Sequence, residues 1–237
     1  MNKLLNITTI ITLSIILLLL LGPRIERAYL HWHIIMHTKG MAKAQSDWAD
    51  IYYTERDAEY IPLILRLTDF YLPLILNDFN VQSPKRAVIV VYSDAGRFNH
   101  AVGKPGTLPM GVYFGGVINI ISPSLWMANA NDSSAKDYFI QHGPLIHELA
   151  HFAADLRAYK NIKPWLSEGM ALYYEYKYTG VEWRPDLKNK AAEISVTELT
   201  DNFRRLNEHV AYRKAFDIVR AFVRKYGEDR LQQLLAN

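Results

Sequence analysis

The segment His147-Glu148-Leu149-Ala150-His151 most narrows what this 237-residue chain can fold into. An α-helix turns about 100° per residue, so histidines four apart lie about 40° from one another on one face. Glu148 sits about 60° from His151, beside the pair but not part of it. Two imidazoles one turn apart chelate a single divalent ion, and the neighbouring carboxylate reaches the water that such an ion activates. Gly143-Pro144 permits a helix start just before the segment. Leu145, Ile146, Leu149, Ala150, Phe152 and Ala153 supply apolar surface to bury the remaining faces. The plainer alternative is a core helix with two hydrogen-bonded histidines.

The chain has no cysteine. That excludes a disulfide framework, Cys-ligated zinc, an iron–sulfur cluster and a thiol nucleophile. A catalytic zinc usually takes three protein ligands and leaves a position for water, so the third ligand here must be His, Asp or Glu. No histidine lies between His151 and His209, and Arg157 stands where an H-E-x-x-H-x-x-G-x-x-H arrangement needs its third. Glu168 lies 17 residues past His151, within Trp165-Leu166-Ser167-Glu168-Gly169-Met170-Ala171. Lys160-Asn161-Ile162-Lys163-Pro164 reads as a turn, with Pro164 opening a new helix. Two antiparallel helices joined there bring Glu168 back toward the histidines. Asp155, one turn beyond His151, and Glu175, seven residues past Glu168, are candidates for orienting a ligand histidine. A solvated helix face explains either equally well.

His-Glu-Leu-Ala-His followed by Trp-Leu-Ser-Glu-Gly-Met-Ala resembles the gluzincin zinc metallopeptidases, specifically the peptidase MA-like family of bacteria. The second motif is also similar to the Trp-Leu-x-Glu-Gly-Phe-Ala signature of zinc aminopeptidases. Ile51-Tyr52-Tyr53, a long helix, the Val88–Tyr92 strand, the Gly111–Pro123 segment and the tail from Ala211 to Leu235 follow that family's order. The resemblance covers roughly residues 50 to 237. It implies His147, His151 and Glu168 as ligands of one Zn2+, Glu148 as general base, and a peptide or protein substrate. It also implies Tyr212 as the donor to the developing oxyanion, although an ordinary packing role, Tyr173, Tyr174 or nearby His142 compete. An extended substrate pairing with the Gly111–Ile121 strand is implied as well, with Gly115-Gly116 permitting close backbone approach; a plain core strand with a bulge is the alternative.

Leu4 to Leu21 carries no charge, ends in five leucines and is stopped by Gly22-Pro23-Arg24. As a helix it spans roughly 27 Å, close to the hydrocarbon thickness of a bilayer. No small-x-small cleavage site follows it. The expectation is an uncleaved N-terminal transmembrane helix over residues 1–23 that anchors the chain in the cell membrane by a single pass. The catalytic part then lies outside the cytoplasm and the bilayer is a partner. Residues 24–50 are expected to form a juxtamembrane helical segment. There His33 and His37 have i, i+4 spacing with no nearby carboxylate, which suits an amphipathic helix better than a metal site. Residues 51–237 then form the metallopeptidase domain.

The fold class expected is α+β. Ala87–Tyr92 and the Val112–Ile121 region read as strands of a small sheet, and a mainly helical zincin-like half carrying the H-E-x-x-H helix follows. Asp57–Phe79 reads as a buried helix, since Arg66, Asp69, Pro62 and Pro73 speak against a second span. Half the residues are hydrophobic and 22% are charged, which excludes a wholly disordered chain. A net charge of +3 without a basic run gives no reason to expect nucleic acid as a partner. The activity expected is hydrolysis of peptide bonds. The alternative is a non-catalytic zinc-binding or interaction module of the same fold, with hydrolysis of a non-peptide amide as a third reading. Substrate and oligomeric state leave no mark in the sequence.

Overall fold

Strand β3 (Ala87–Tyr92) is an uninterrupted apolar run, Ala-Val-Ile-Val-Val-Tyr, as a strand covered on both faces requires. It lies at the centre of a mixed five-stranded sheet with β1 (Ala42–Gln45), β2 (Ala49–Tyr53), β4 (Gly111–Phe114) and β5 (Val117–Ile121) in the order β1-β2-β3-β5-β4. The pairs β2–β3 and β3–β5 are parallel, and the two outer pairs are antiparallel. The β4–β5 connection is two residues long, Gly115-Gly116, with φ of +60° and +78°. Both central positions of such a turn need positive φ, which only glycine adopts freely. The computed structural model describes residues 11–13, 21–22, 25–82, 85–103, 109–127, 133–158 and 162–235.

Alternation along the strands sends side chains to two cores. Ile89, Val91, Ile118 and Ile120 face the larger one, with α2 (Ile61–Asp78) and α5 (Leu145–Ala158). Val90, Tyr92, Val117 and Ile121 face the smaller one, with Ile34 of α1 (residues 25–36) and Phe98 and Val102 of α3 (Ala95–Val102). Asn119 points into the smaller core without penalty: its side chain accepts from the Tyr92 hydroxyl at 3.0 Å and donates to the carbonyls of Val112 and Val117. Further along come α4 (Ser133–His142), α6 (Pro164–Thr179), α7 (Lys188–Glu193), α8 (Val196–Asn202), α9 (Glu208–Tyr226) and α10 (Glu228–Gln233). The molecule is therefore α+β: α1 precedes the five strands, α2 and α3 are interleaved with them, and the chain after β5 is helical.

The expected transmembrane helix over residues 1–23 is corrected, and with it the single-pass anchor in a cell membrane, the extracytoplasmic placement and the bilayer as partner. Among the described residues no helix is long and apolar enough to cross a membrane. Of the Leu4–Leu21 stretch, residues 11–13 and 21 are described, and the rest lies outside the described residues. Charge, two-sidedness or shortness keeps each described helix from spanning a bilayer. The apolar helix α2 carries Arg66, Asp69 and Asp78, and it is two-sided: Ile64, Leu72 and Ile75 are fully buried in the core while Phe70 is exposed. Helix α1 carries Glu26, Arg27, His31 and His33 and packs Ile34 onto the sheet.

Residues 24–50 are also not helical throughout. Helix ends at residue 36, and 42–53 form the β1–β2 hairpin. The short polar turn Ser46-Asp47-Trp48 makes that reversal, held by the Ser46 hydroxyl accepting from the Ala49 N–H. The glycines of the β4–β5 turn take a role other than receiving a substrate. A Cβ on Gly115 would stand 3.0 Å from the Leu30 backbone, and one on Gly116 would stand 3.2 Å from the Arg27 guanidinium. Helix α1 lies across that turn.

Candidate metal centre

Helices α5 and α6 run side by side, joined by a short segment whose residues 159–161 lie outside the described residues. The histidine pair is on α5, and Glu168 is in the second turn of α6, opened by Pro164 at its first helical position. The three side chains meet. Nε2 of His147 lies 3.2 Å from Nε2 of His151, and Oε2 of Glu168 lies 3.3 Å and 3.4 Å from those two nitrogens. Among the described residues these form a group of three whose ligand atoms all lie within 4.8 Å of one another.

That triangle fits a tetrahedral ion. Bonds of about 2.0–2.1 Å place tetrahedral ligand atoms about 3.3 Å apart. The outer ring nitrogens fix which atoms face inward. Nδ1 of His147 lies 3.2 Å from Oε2 of Glu175, an acceptor, so the proton belongs on Nδ1 and the Nε2 lone pair faces the centre. Nδ1 of His151 lies 3.0 Å from the Ser167 hydroxyl, a partner that occupies this nitrogen and leaves Nε2 turned to the centre. Two nitrogen lone pairs and a carboxylate oxygen thus converge, which is repulsive until a cation or a proton sits among them. Burial pushes the His147 imidazole down, yet its hydrogen bonds to Glu168 and Glu175 raise its pKa well above the ordinary value. Glu168 moves the opposite way: burial raises it, and the charges and hydrogen bonds of His151 and His147 pull it well below the usual carboxylate range.

Glu148 sits beside this triangle, 4% exposed, with Oε2 lacking a hydrogen-bond partner. Burial pushes its pKa up, while His147, His151 and the Tyr113 backbone N–H pull it down. Strand β4 runs directly over the carboxylate. A Cβ on Gly111 would stand 2.6 Å from Pro144 and 2.9 Å from Oε1 of Glu148, so only glycine permits the approach.

Tyr212, in the first half of α9, lines the cleft beside the Glu168 carboxylate. Its ring stacks on Phe203 with centroids 5.7 Å apart and planes 4° apart. Burial and the charges of Glu168 and Glu208 raise its pKa, so the phenol keeps its proton. Gly169 makes the placement possible: a Cβ there would stand 2.6 Å from the carbonyl of Ala215, so α9 lies against α6 at backbone distance. Tyr173 and Tyr174 point elsewhere, bonded to Glu228 and Gln232 of α10. His142 lines the same cleft, whose volume is about 730 Å³ and whose walls include Val112, Tyr113, Trp183, Arg204 and His209.

Glu175 thus reaches a histidine and Asp155 does not. The Asp155 carboxylate pairs with Arg27 of α1 at 2.8 Å and accepts from the Tyr113 hydroxyl. Sequence reading missed Ser167, Gly111 and Trp183. Ser167 precedes Glu168, and one face of α6 turned toward α5 carries both, a signal that only the helix pairing reveals. Residues 77–237, well over half of the chain, match the family model of the peptidase MA superfamily. The match begins at the end of α2 and takes in β3, the β4–β5 hairpin and every helix of the site. No curated protein matches the chain.

Proposed function

The chain belongs to the peptidase MA superfamily, a peptidase-like family, and on that premise we propose that it is a zinc-dependent metallopeptidase of the gluzincin type. His147, His151 and Glu168 hold one zinc ion, and Glu148 is the general base. The observation that carries the reading is the near-equilateral triangle of 3.2, 3.3 and 3.4 Å among their inward-facing atoms. Zinc, when bound, polarises a scissile carbonyl and makes water nucleophilic at neutral pH.

The protein's own groups then have defined tasks. Glu148 accepts the proton of the attacking water and returns it to the leaving amine; its unpartnered Oε2 is free to do so. The Tyr212 hydroxyl, which keeps its proton, donates to the carbonyl oxygen as negative charge develops there. Glu175 and Ser167 occupy the Nδ1 atoms and so keep both Nε2 atoms turned inward. Buried Glu148 also favours an enzyme over a binding module, since a carboxylate that lines the cleft beside the histidines with one oxygen unpartnered is what a general base requires.

The test is metal analysis and peptide-library cleavage on the full chain, with Glu148→Gln as control. Wild type binds zinc and cleaves; Glu148→Gln binds zinc equally and cleaves at least about a hundredfold more slowly. A zinc-loaded wild type that cleaves no peptide overturns the proposal and leaves the binding-module reading.

A further inference from the structure

Three histidines cluster outside the lining of the metallopeptidase cleft. His33 and His37 lie one turn apart at the end of α1 and in the turn after it, and His100 comes from α3. Ring centroids are 4.5 Å apart for His33 and His37, 5.0 Å for His37 and His100, and 6.5 Å for His33 and His100. We propose that His33, His37 and His100 form a second metal site, for a borderline divalent ion such as Zn2+, that clips α1 to α3.

Two of the three ring separations match imidazoles around one ion, and the third closes only when a side chain turns, since His147, His151 and Glu168 form the group whose ligand atoms already lie within 4.8 Å of one another. With metal–nitrogen bonds of about 2.0–2.1 Å and tetrahedral angles, ring centroids around one ion lie about 5 Å apart. The molecule provides its own comparison: the rings of His147 and His151 have centroids 4.8 Å apart. The pair on α1 is spaced the same way, and His37 lies between the other two. Only the His33–His100 separation must shrink, and His100 is exposed, so rotation of its side chain is unobstructed by core packing. Nδ1 of His37 donates to the His33 carbonyl at 2.8 Å, which leaves its Nε2 as the ligand atom. The partner elements are already held in register, because the Arg97 guanidinium of α3 donates to the His37 carbonyl at 3.1 Å. An all-imidazole set suits Zn2+, Ni2+ or Cu2+ and does not suit Mg2+ or Ca2+. With Arg97 close and no carboxylate among the ligands, the site is weaker than the His147–His151–Glu168 centre.

The site has a structural consequence. Helix α1 also carries Arg27, whose guanidinium pairs with Asp155 of α5 and donates to the hydroxyl of Tyr113, which lines the cleft. An ion between α1 and α3 therefore fixes the helix that braces one wall of the cleft.

Equilibrium dialysis of the full chain against Zn2+, followed by metal analysis, tests the proposal independently of any peptidase activity. Wild type is expected to hold two ions per chain, His100→Ala one, and His147→Ala/His151→Ala one. With Co2+ in that last background, a visible tetrahedral absorption is expected that disappears when His100→Ala is added, while metal-free circular dichroism stays the same. A His147→Ala/His151→Ala variant that holds no ion, or one whose ion survives combined replacement of His33, His37 and His100 by alanine, overturns it.

Discussion

The Glu175 carboxylate lies 3.2 Å from Nδ1 of His147, two helical turns beyond Glu168 on the same face of α6. One helix therefore supplies both an inward-facing oxygen and the group that turns a histidine of the neighbouring helix toward it. Glu175→Gln keeps the size but offers an amide in place of the carboxylate, and it no longer enforces the Nδ1 proton. Zinc affinity is expected to fall about 10- to 100-fold, read by competition with a chromogenic chelator. An unchanged affinity means that the contact orients nothing.

Tyr212 and Phe203 form a stacked pair that anchors the phenol ring independently of its hydroxyl. Tyr212→Phe should therefore melt within a degree or two of wild type and still hold zinc, while kcat falls about a hundred- to a thousandfold with little change in KM. Full activity in that variant returns Tyr212 to a packing role.

Gly169 follows Glu168 directly, and its missing side chain is what lets α9 come close. In Gly169→Ala the added methyl meets a backbone carbonyl 2.6 Å away, and a backbone cannot rotate aside. Destabilisation of about 1–3 kcal/mol is expected by thermal or denaturant unfolding. The displaced α9 carries Tyr212, so activity should fall more than stability alone explains when both are measured well below the melting temperature.

The parts of the site legible in the sequence are those set by helix periodicity. His147, His151 and Glu148 follow from three positions on one turn, and Glu175 from its seven-residue offset to Glu168, which returns to the same face. Glu168 was reachable because a turn ending in Pro164 folds one helix back on the other. Ser167 was not, because a lone hydroxyl beside Glu168 carries no ligand signature of its own, and Gly111 was not, because it acts across a contact between elements far apart in the chain. The β1–β2 hairpin escaped for a different reason: Ala42–Gln45 is mostly exposed and has neither an apolar run nor a branched side chain to mark a strand. Gly115-Gly116 looked like room for a ligand, whereas its two positive φ values make it a hairpin turn beneath α1. The leucine-rich stretch at the N-terminus promised a membrane helix on composition alone.

Arg213, fully buried on α9 beside Tyr212, gives the fold a dependence on acid pH. Its guanidinium donates to both oxygens of Asp217, to the Trp183 carbonyl at 2.7 Å and to Glu182. Glu182 also pairs with Arg220 at 2.9 Å. The Arg213 hydrogen bond, against the opposing effect of partial burial and with help from Arg220, holds the Glu182 carboxyl below its usual range. A carboxyl that is more acidic in the folded state stabilises it fully above the unfolded pKa of about 4.3, and that stabilisation fades as pH falls through the lower folded value. Glu182→Gln should therefore melt below wild type at pH 7, and the two curves should converge as pH drops below about 4. The Trp183 indole lines the cleft on the next residue, so the same variant should also raise KM at neutral pH. A melting-temperature difference that stays constant from pH 7 to pH 3 would show that the charge of Glu182 contributes nothing to holding this corner of the cleft.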